Sequence, residues 1–248
     1  MIFGTGSRRK DVNNKYLKRF IYALGAISLI VALVVISVEM TIYNDSFFEN
    51  EYKKYRVNED LGMKIEDVID VSEQMMDYLK DERDDLVIYT TLRGQYREFF
   101  NDRDKSHMID VKNLLENAIR VRTGSIITFV LCIILLLLMK DKVYYGLSKA
   151  FLWTTGIVTV IILLIAFLIM IGDFTKYWEM FHNIFFSNDL WLLDPNVDMM
   201  ILMLPEEFFV DLIVRSVVHF GVFLVILSLV SILLVRFYKK KNNGGHYE

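Results

Sequence analysis

The sequence predicts an all-α integral membrane protein with four transmembrane helices and short amphipathic helices in the outer connections. Three observations predict it. Apolar residues make up 54% of the 248 and charged residues 24%, at a mean hydropathy of +0.35, so the two kinds must be segregated along the chain. Four apolar runs approach the ~20 residues that cross ~30 Å of hydrocarbon. Basic residues gather at alternate ends of those runs, which gives the topology a direction.

The first span is expected over 20–42. It follows the basic segment 1–19, with Arg8, Arg9, Lys10, Lys15, Lys18 and Arg19. That flank is like a signal peptide's, but the apolar stretch is far longer than an h-region and lacks an A-x-A-like cleavage site, so it should remain as an anchor. The second span, 119–139, is interrupted near its outer end by Arg120 and Arg122. The third covers 150–171 and the fourth 207–235. Segment 140–149 carries Lys140, Lys142 and Lys149 against Asp141, and the tail 236–248 carries Arg236, Lys239, Lys240 and Lys241. Together with the N-terminus these make one face positive, so both termini are expected in the cytoplasm. The other connections, 43–118 and 172–206, are rich in Asp and Glu and are expected outside a cell membrane that the chain crosses several times.

Two prolines permit long helices. A single cysteine, Cys132, excludes an intrachain disulfide framework and a cysteine-based zinc site. A formal charge of −3 and the lack of a basic, aromatic surface argue against nucleic acid.

Within 43–118, Ile65 to Leu79 places Ile65, Val68, Ile69, Met75, Met76 and Leu79 at a mostly helical period. Ser106 to Ala118 is a second candidate, with Met108, Val111, Leu114 and Leu115 on one face. Both are expected on or near the membrane surface; the alternative is a small subdomain packed on itself. Segment 172–206 is dense in aromatic residues, including Trp178, Phe181, Phe185, Phe186 and Trp191, as an interfacial belt or a lid over a lipid-facing cavity would be.

Candidate chemistry rests on histidines. His107 and His182 fall in different outer connections, and either can ionise near neutral pH. Asp110, three residues from His107, can orient its imidazole on a helix, with Arg103 and Lys105 as competitors for the same carboxylate. On the fourth span Glu207, Asp211, Arg215 and His219 recur at intervals of four. They read either as a salt-bridge ladder or as a positioning site, in which Arg215 meets a lipid carbonyl or phosphate and Glu39 is its partner across the bundle. Counting ~20 residues outward from the basic boundaries ends near Glu39, Arg120, Ile169 and Ser216, which gives Glu39 and Arg215 the depth of a lipid ester. Cys132 lies within the second span, too far from the outer face for a nucleophile. No G-x-S-x-G elbow, H-E-x-x-H pair or Walker-type loop occurs.

Four stretches carry a resemblance: His107-Met108-Ile109-Asp110-Val111-Lys112; Phe181-His182-Asn183-Ile184-Phe185-Phe186-Ser187-Asn188-Asp189-Leu190-Trp191; Asp194-Pro195; and Pro205-Glu206-Glu207-Phe208-Phe209. They resemble the bacterial lipoprotein intramolecular transacylase family, Lit. Only the charged segment Asp77 to Gln95 has no counterpart, and it is expected as a surface excursion. The resemblance implies an enzyme of Gram-positive bacteria whose partners are membrane lipid and lipoproteins bearing a diacylglyceryl cysteine. It implies transfer of the sn-2 acyl chain to the cysteine α-amino group, giving the lyso form, with the family's two functional histidines falling on His107 and His182. Asp189 and Trp191, inside the second motif, join Asp110, Glu39 and Arg215 as supporting or substrate-binding candidates on position alone. Donor and acceptor belong to one substrate, so no enzyme nucleophile, metal or cofactor is expected. His107 would take a proton from the amine, and His182 would stabilise the oxyanion or protonate the leaving oxygen, with the roles exchangeable.

Two rival readings remain from the residues. One is a metal-dependent membrane hydrolase with His107, Asp110 and His182 as ligands. The other is a non-enzymatic membrane receptor or assembly protein. Transport is disfavoured by the scarcity of charge in the inner halves of the spans.

Overall fold

A computed structural model describes residues 5–243. Residues 1–4 of the basic N-terminal segment and 244–248 of the tail therefore lie outside the described residues. The order of elements is α1 (Thr5–Ile42), α2 (Asp45–Lys54), α3 (Val57–Leu61), α4 (Ile65–Leu79), β1 (Tyr89–Leu92), β2 (Gln95–Glu98), α5 (Asp102–Leu138), α6 (Val143–Ile171), α7 (Phe174–Phe185), α8 (Met199–Met203) and α9 (Glu206–Asn243). Helices α1, α5, α6 and α9 contain stretches long and apolar enough to cross a membrane. The chain divides into two compact units. The first comprises Met1–Ile36, Arg120–Leu168 and His219–Glu248, and the second Ser37–Ile119 and Ile169–Val218.

The first unit packs sparingly. Ala26, Ile30, Leu33, Phe151, Phe220 and Leu224 form one buried cluster, and Ile21, Cys132 and Leu136 another. Leu137, Leu163 and Val225 stay 59%, 64% and 61% exposed. Large apolar side chains left outward along whole helices are stable only against lipid, since in water each would forgo roughly 1.5–3 kcal/mol of burial. Between α5 and α6 the chain reverses through Lys140, whose φ is +50°. The amides of Lys140 and Asp141 return to the carbonyls of Leu137 and Leu136 at 2.9 and 3.1 Å, which closes the helix end. Asp141 then meets Lys18 at 3.0 Å. Gly146 lets Tyr22 approach, for a Cβ there would lie 2.1 Å from the tyrosine ring.

The second unit has a protein core of its own. Asn44 caps α2 by accepting the Phe47 amide at 2.9 Å. The buried Phe47, Phe48 and Tyr52 then gather around Phe208 of α9, at ring separations of 5.4, 5.1 and 6.2 Å. Tyr52 is fully buried, and its hydroxyl donates to Ser72 at 2.8 Å. Helix α4 has the bounds its periodicity predicts. Its apolar face, Val68, Val71, Met75 and Met76, is buried in this same core. That corrects the expectation of a helix on the membrane surface: the face that would enter the interface is already covered by protein.

Two other expectations change. The candidate helix over 106–118 is the polar first part of α5, which continues into the apolar run 119–138 without a break because no proline or capping sequence interrupts it. Segment 77–95 is only in part an excursion. Leu86, Ile88 and Leu92 enter the core at 3%, 1% and 3% exposure, and β1 pairs antiparallel with β2. Arg93 and Gly94 turn that hairpin with φ of +51° and +80°, the backbone twist that a two-residue hairpin loop requires.

Candidate active site

His107 and His182 meet in the second unit. The polar first part of α5 carries His107 and α7 carries His182, and each is buried, at 7% and 5% exposure. Their ring centroids are 6.0 Å apart and the planes inclined by 37°. Asp173 starts α7 by accepting the Thr175 amide at 3.2 Å. The aromatic spacing along α7 then lays Trp178 and Phe181 against His182 at 4.5 and 5.4 Å. Trp191 stacks on the His182 ring at 4.7 Å and 22°, and Phe186 lies 5.4 Å from His107 and 5.5 Å from His182. The aromatic density of 172–206 thus forms the wall of the histidine pair. Two cavities of about 500 and 430 Å³ lie instead in the first unit, around Arg19, Tyr22, Asp141 and Lys142. They hold neither histidine.

The two imidazoles are held differently. Nδ1 of His182 lies 2.8 Å from the Trp178 carbonyl. A carbonyl only accepts, so that nitrogen carries the hydrogen and the neutral ring keeps its lone pair on Nε2. His107 has a buried Nδ1 with no hydrogen-bond partner. Burial lowers the His107 pKa from 6.5 to about 4, with the charges of His182 and Arg103 adding to it and Asp110 opposing. Burial also lowers that of His182, against the bond to Trp178. Both rings are therefore neutral at pH 7.

Asp110 leaves the Nδ1 of His107 without a hydrogen bond, although its charge raises the pKa of that imidazole. Its Oδ2 accepts from Asn188 Nδ2 at 2.8 Å and so ties the 186–191 loop to α5. Side chains on a helix lean toward its N-terminus, a tendency that favours residue 104 over residue 110 as the neighbour of His107. Asp189 points its exposed side chain outward and contributes its backbone carbonyl to Arg103. Glu39 is buried at 6% exposure. Arg215 rests its guanidinium 5.2 Å from the Phe47 ring centroid, a cation–π seat. The expected ladder on α9 is diverted, because Asp211 takes Lys54 and Tyr55 of the α2 region as donors. Among the described residues no three His, Cys, Asp or Glu side chains are gathered as a metal would need.

Sequence reasoning missed a polar knot beneath His107. Asn101 and Asp104 form a reciprocal capping pair, with the Asp104 amide on Asn101 Oδ1 at 2.9 Å and the Asn101 amide on Asp104 Oδ2 at 3.3 Å. The Met199 amide also donates to Asp104 Oδ2, at 3.2 Å. Asp198 receives Asn101 Nδ2 at 2.6 Å and the Asp194 amide at 2.7 Å. The spacing of Asp104, three before His107, was the available signal. Burial raises the Asp104 pKa to about 6, with the charge of Asp198 adding to it and the amides of Asn101, Met199 and Met200 opposing.

These shifts have a measurable consequence. The folded value of His107 lies below its usual 6.5, so its contribution to stability is whole above pH 6.5 and is lost as pH falls toward 4. Asp104, raised, runs the other way: its contribution is whole below pH 3.8 and is lost as pH rises through 6. Comparing the wild type with His107→Gln isolates the first. Between pH 6.5 and 4 the wild type is expected to lose stability relative to the variant by up to roughly 3 kcal/mol, read as diverging thermal midpoints in detergent. A gap that does not change with pH would mean that His107 titrates as a surface histidine.

Long lipid-facing helices together with a buried pair of neutral imidazoles describe a membrane-integral enzyme. The chain belongs to the lipoprotein intramolecular transacylase family, Lit, whose profile matches residues 23–209. It is thereby an acyltransferase.

Three solved structures of the membrane-integral lipoprotein intramolecular transacylase Lit from Bacillus cereus share its fold. One has a TM-score of 0.69 at 23% identity and covers 92% of this chain and 99% of that one. A variant with a histidine replaced by arginine has a TM-score of 0.71 at 22% identity, covering 97% and 100%. A variant with a histidine replaced by alanine has a TM-score of 0.72 at 21% identity, covering 93% and 99%. No curated protein sequence matches this chain.

Proposed function

We propose that this chain moves the sn-2 acyl chain of a diacylglyceryl cysteine onto the α-amino group of the same cysteine, giving lyso-form lipoprotein without an acyl-enzyme. The observation that carries this reading is the pair of buried imidazoles 6.0 Å apart, with His182 locked in the tautomer whose Nε2 is a base. Its proton requirement explains why there are two. An α-amine with a pKa of about 7.7–8.0 arrives largely as ammonium at neutral pH, and two protons must leave nitrogen before an amide forms.

His182 Nε2 takes the first proton, leaving the amine free to attack the ester carbonyl. His107 takes the second from the tetrahedral intermediate as the C–N bond is made. The C–O bond to glycerol then breaks, the His182 imidazolium returns its proton to the leaving sn-2 oxygen, and His107 releases its proton to water. The indole Nε1 of Trp191, a buried donor with no hydrogen-bond partner on the ring stacked against His182, is suited to the developing oxyanion. Glu39 and Arg215 are assigned to the lipid-ester level, and the Asn188–Asp110 bond to holding the loop that carries Trp191. The basic segments 1–19, 140–149 and 236–248 are placed in the cytoplasm, and the histidines on the outer face of the cell membrane of a Gram-positive bacterium.

Mass spectrometry of a lipoprotein N-terminus from cells with and without this protein tests the reading. One acyl chain should move from glycerol to nitrogen at unchanged total mass. Loss of the mass of one acyl chain would identify a hydrolase, and an unchanged N-terminus would identify a protein with another task.

A further inference from the structure

We propose that Asp104 is the positioning residue for His107, its Oδ1 holding the Nδ1–H of the imidazole in the working enzyme so that Nε2 is left as the base. The inference rests on the proposed acid–base role of His107 and goes beyond it. Asp104 is fully buried. Its Oδ2 meets the Asn101 and Met199 amides at 3.3 and 3.2 Å, a combination that completes the helix cap and fixes the plane of the carboxylate. Capping explains one oxygen. The other, Oδ1, is buried and has no hydrogen-bond partner, and neither has Nδ1 of His107 one turn along the same helix.

An acceptor and a potential donor left unmatched in this way cost roughly 1–3 kcal/mol each. Residues i and i+3 have their Cβ atoms about 5–6 Å apart, and His107 leans toward the N-terminus of α5, over Asp104. A turn of the imidazole about its own side-chain bonds is the movement the proposal requires, with the backbone of α5 left in place. Asp110, whose charge also acts on His107, has one carboxylate oxygen taken by Asn188 at 2.8 Å.

The energetics favour the same pairing. Burial drives both groups toward neutrality, the carboxyl up to about 6 and the imidazole down to about 4. A hydrogen bond between them opposes both shifts, and it strengthens as His107 becomes imidazolium. It therefore stabilises the proton-transfer transition state more than the resting enzyme. His182 has the Trp178 carbonyl for this purpose, so each imidazole would have one acceptor at Nδ1.

Asp104→Asn tests the inference in the full-length enzyme in detergent. The asparagine Oδ1 can still accept both backbone amides, so the thermal midpoint is expected to stay near that of the wild type. Its NH₂ group now faces His107 as a donor and favours the opposite tautomer. The expected result is a fall in kcat of about 10²-fold, within the loss that removing His107 itself would cause, with KM little changed. In histidine-labelled protein, the ¹⁵N signature of His107 should switch from Nδ1–H to Nε2–H. A kcat within about threefold of the wild type with the tautomer unchanged would overturn the proposal. Should the variant not fold, the wild-type spectrum decides, since His107 found as Nε2–H there is equally fatal. If His107→Ala is itself fully active, the base assignment fails; if His107→Ala is inactive while Asp104→Asn is normal, only the positioning role fails.

Discussion

His182→Ala is expected to lower the rate of acyl transfer by about 10³–10⁴-fold, and His107→Ala by about 10²–10³-fold. The order follows from the proton count. His182 acts twice, first as base to the ammonium and then as acid to the leaving oxygen, whereas His107 acts once and its proton can in part go to water. The double variant should be scarcely slower than His182→Ala, because the two rings serve one sequence of transfers and their losses do not add. Single-turnover conversion of a diacylglyceryl peptide, followed by mass spectrometry, gives the rates. Thermal midpoints near that of the wild type would show that the variants are folded. A His182→Ala enzyme within tenfold of the wild type would remove the mechanism.

The second large effect is on stability. Phe208 is 1% exposed and touches Phe47, Phe48 and Tyr52, with Phe209 beside it. Phe208→Ala is expected to cost about 3–5 kcal/mol, the range for removing a fully buried aromatic ring whose neighbours cannot collapse into the space. The loss should reach the site as well, because Phe209 packs 4.3 Å from Trp178, the residue whose carbonyl holds His182. The thermal midpoint should fall and acyl transfer should decline with it, while Phe208→Leu should recover most of both. A Phe208→Ala protein as stable as the wild type would mean that this cluster is not the core of the second unit.

The readily legible parts of the fold were those that a short window of sequence determines. Each long helix announces itself by an apolar run between charged flanks, and α4 by a helical period over Ile65–Leu79. The histidines were found because each sits in a dense, recognisable stretch. What covers a face is not written in the segment that bears it. The period of α4 was right while its partner was wrong, since Phe47, Phe48 and Phe208 come from distant positions. The hairpin was hidden because its strands, Tyr89–Leu92 and Gln95–Glu98, are only four residues each and lie in a charged stretch.

Asp104 was overlooked although it stands three residues from His107 on one side as Asp110 does on the other, and spacing alone does not distinguish them. The general lean of side chains along a helix favours Asp104. Arg215 was assigned an ionic partner because the sequence shows charges and their spacing, whereas the structure adds the face of a phenyl ring.

The bond between His182 and the Trp178 carbonyl has a consequence for how this enzyme can vary. A main-chain oxygen is common to every amino acid and does not titrate near neutral pH, so the hydrogen on His182 is secured whatever side chain occupies position 178. The tryptophan ring answers instead to its packing against His182 and Phe209. His107 has no such insurance at Nδ1: its proposed holder, Asp104, is a side chain, which can be lost by a single codon change or by acid. Inherited loss of activity and sensitivity to low pH should accordingly concentrate on the α5 arm of the pair.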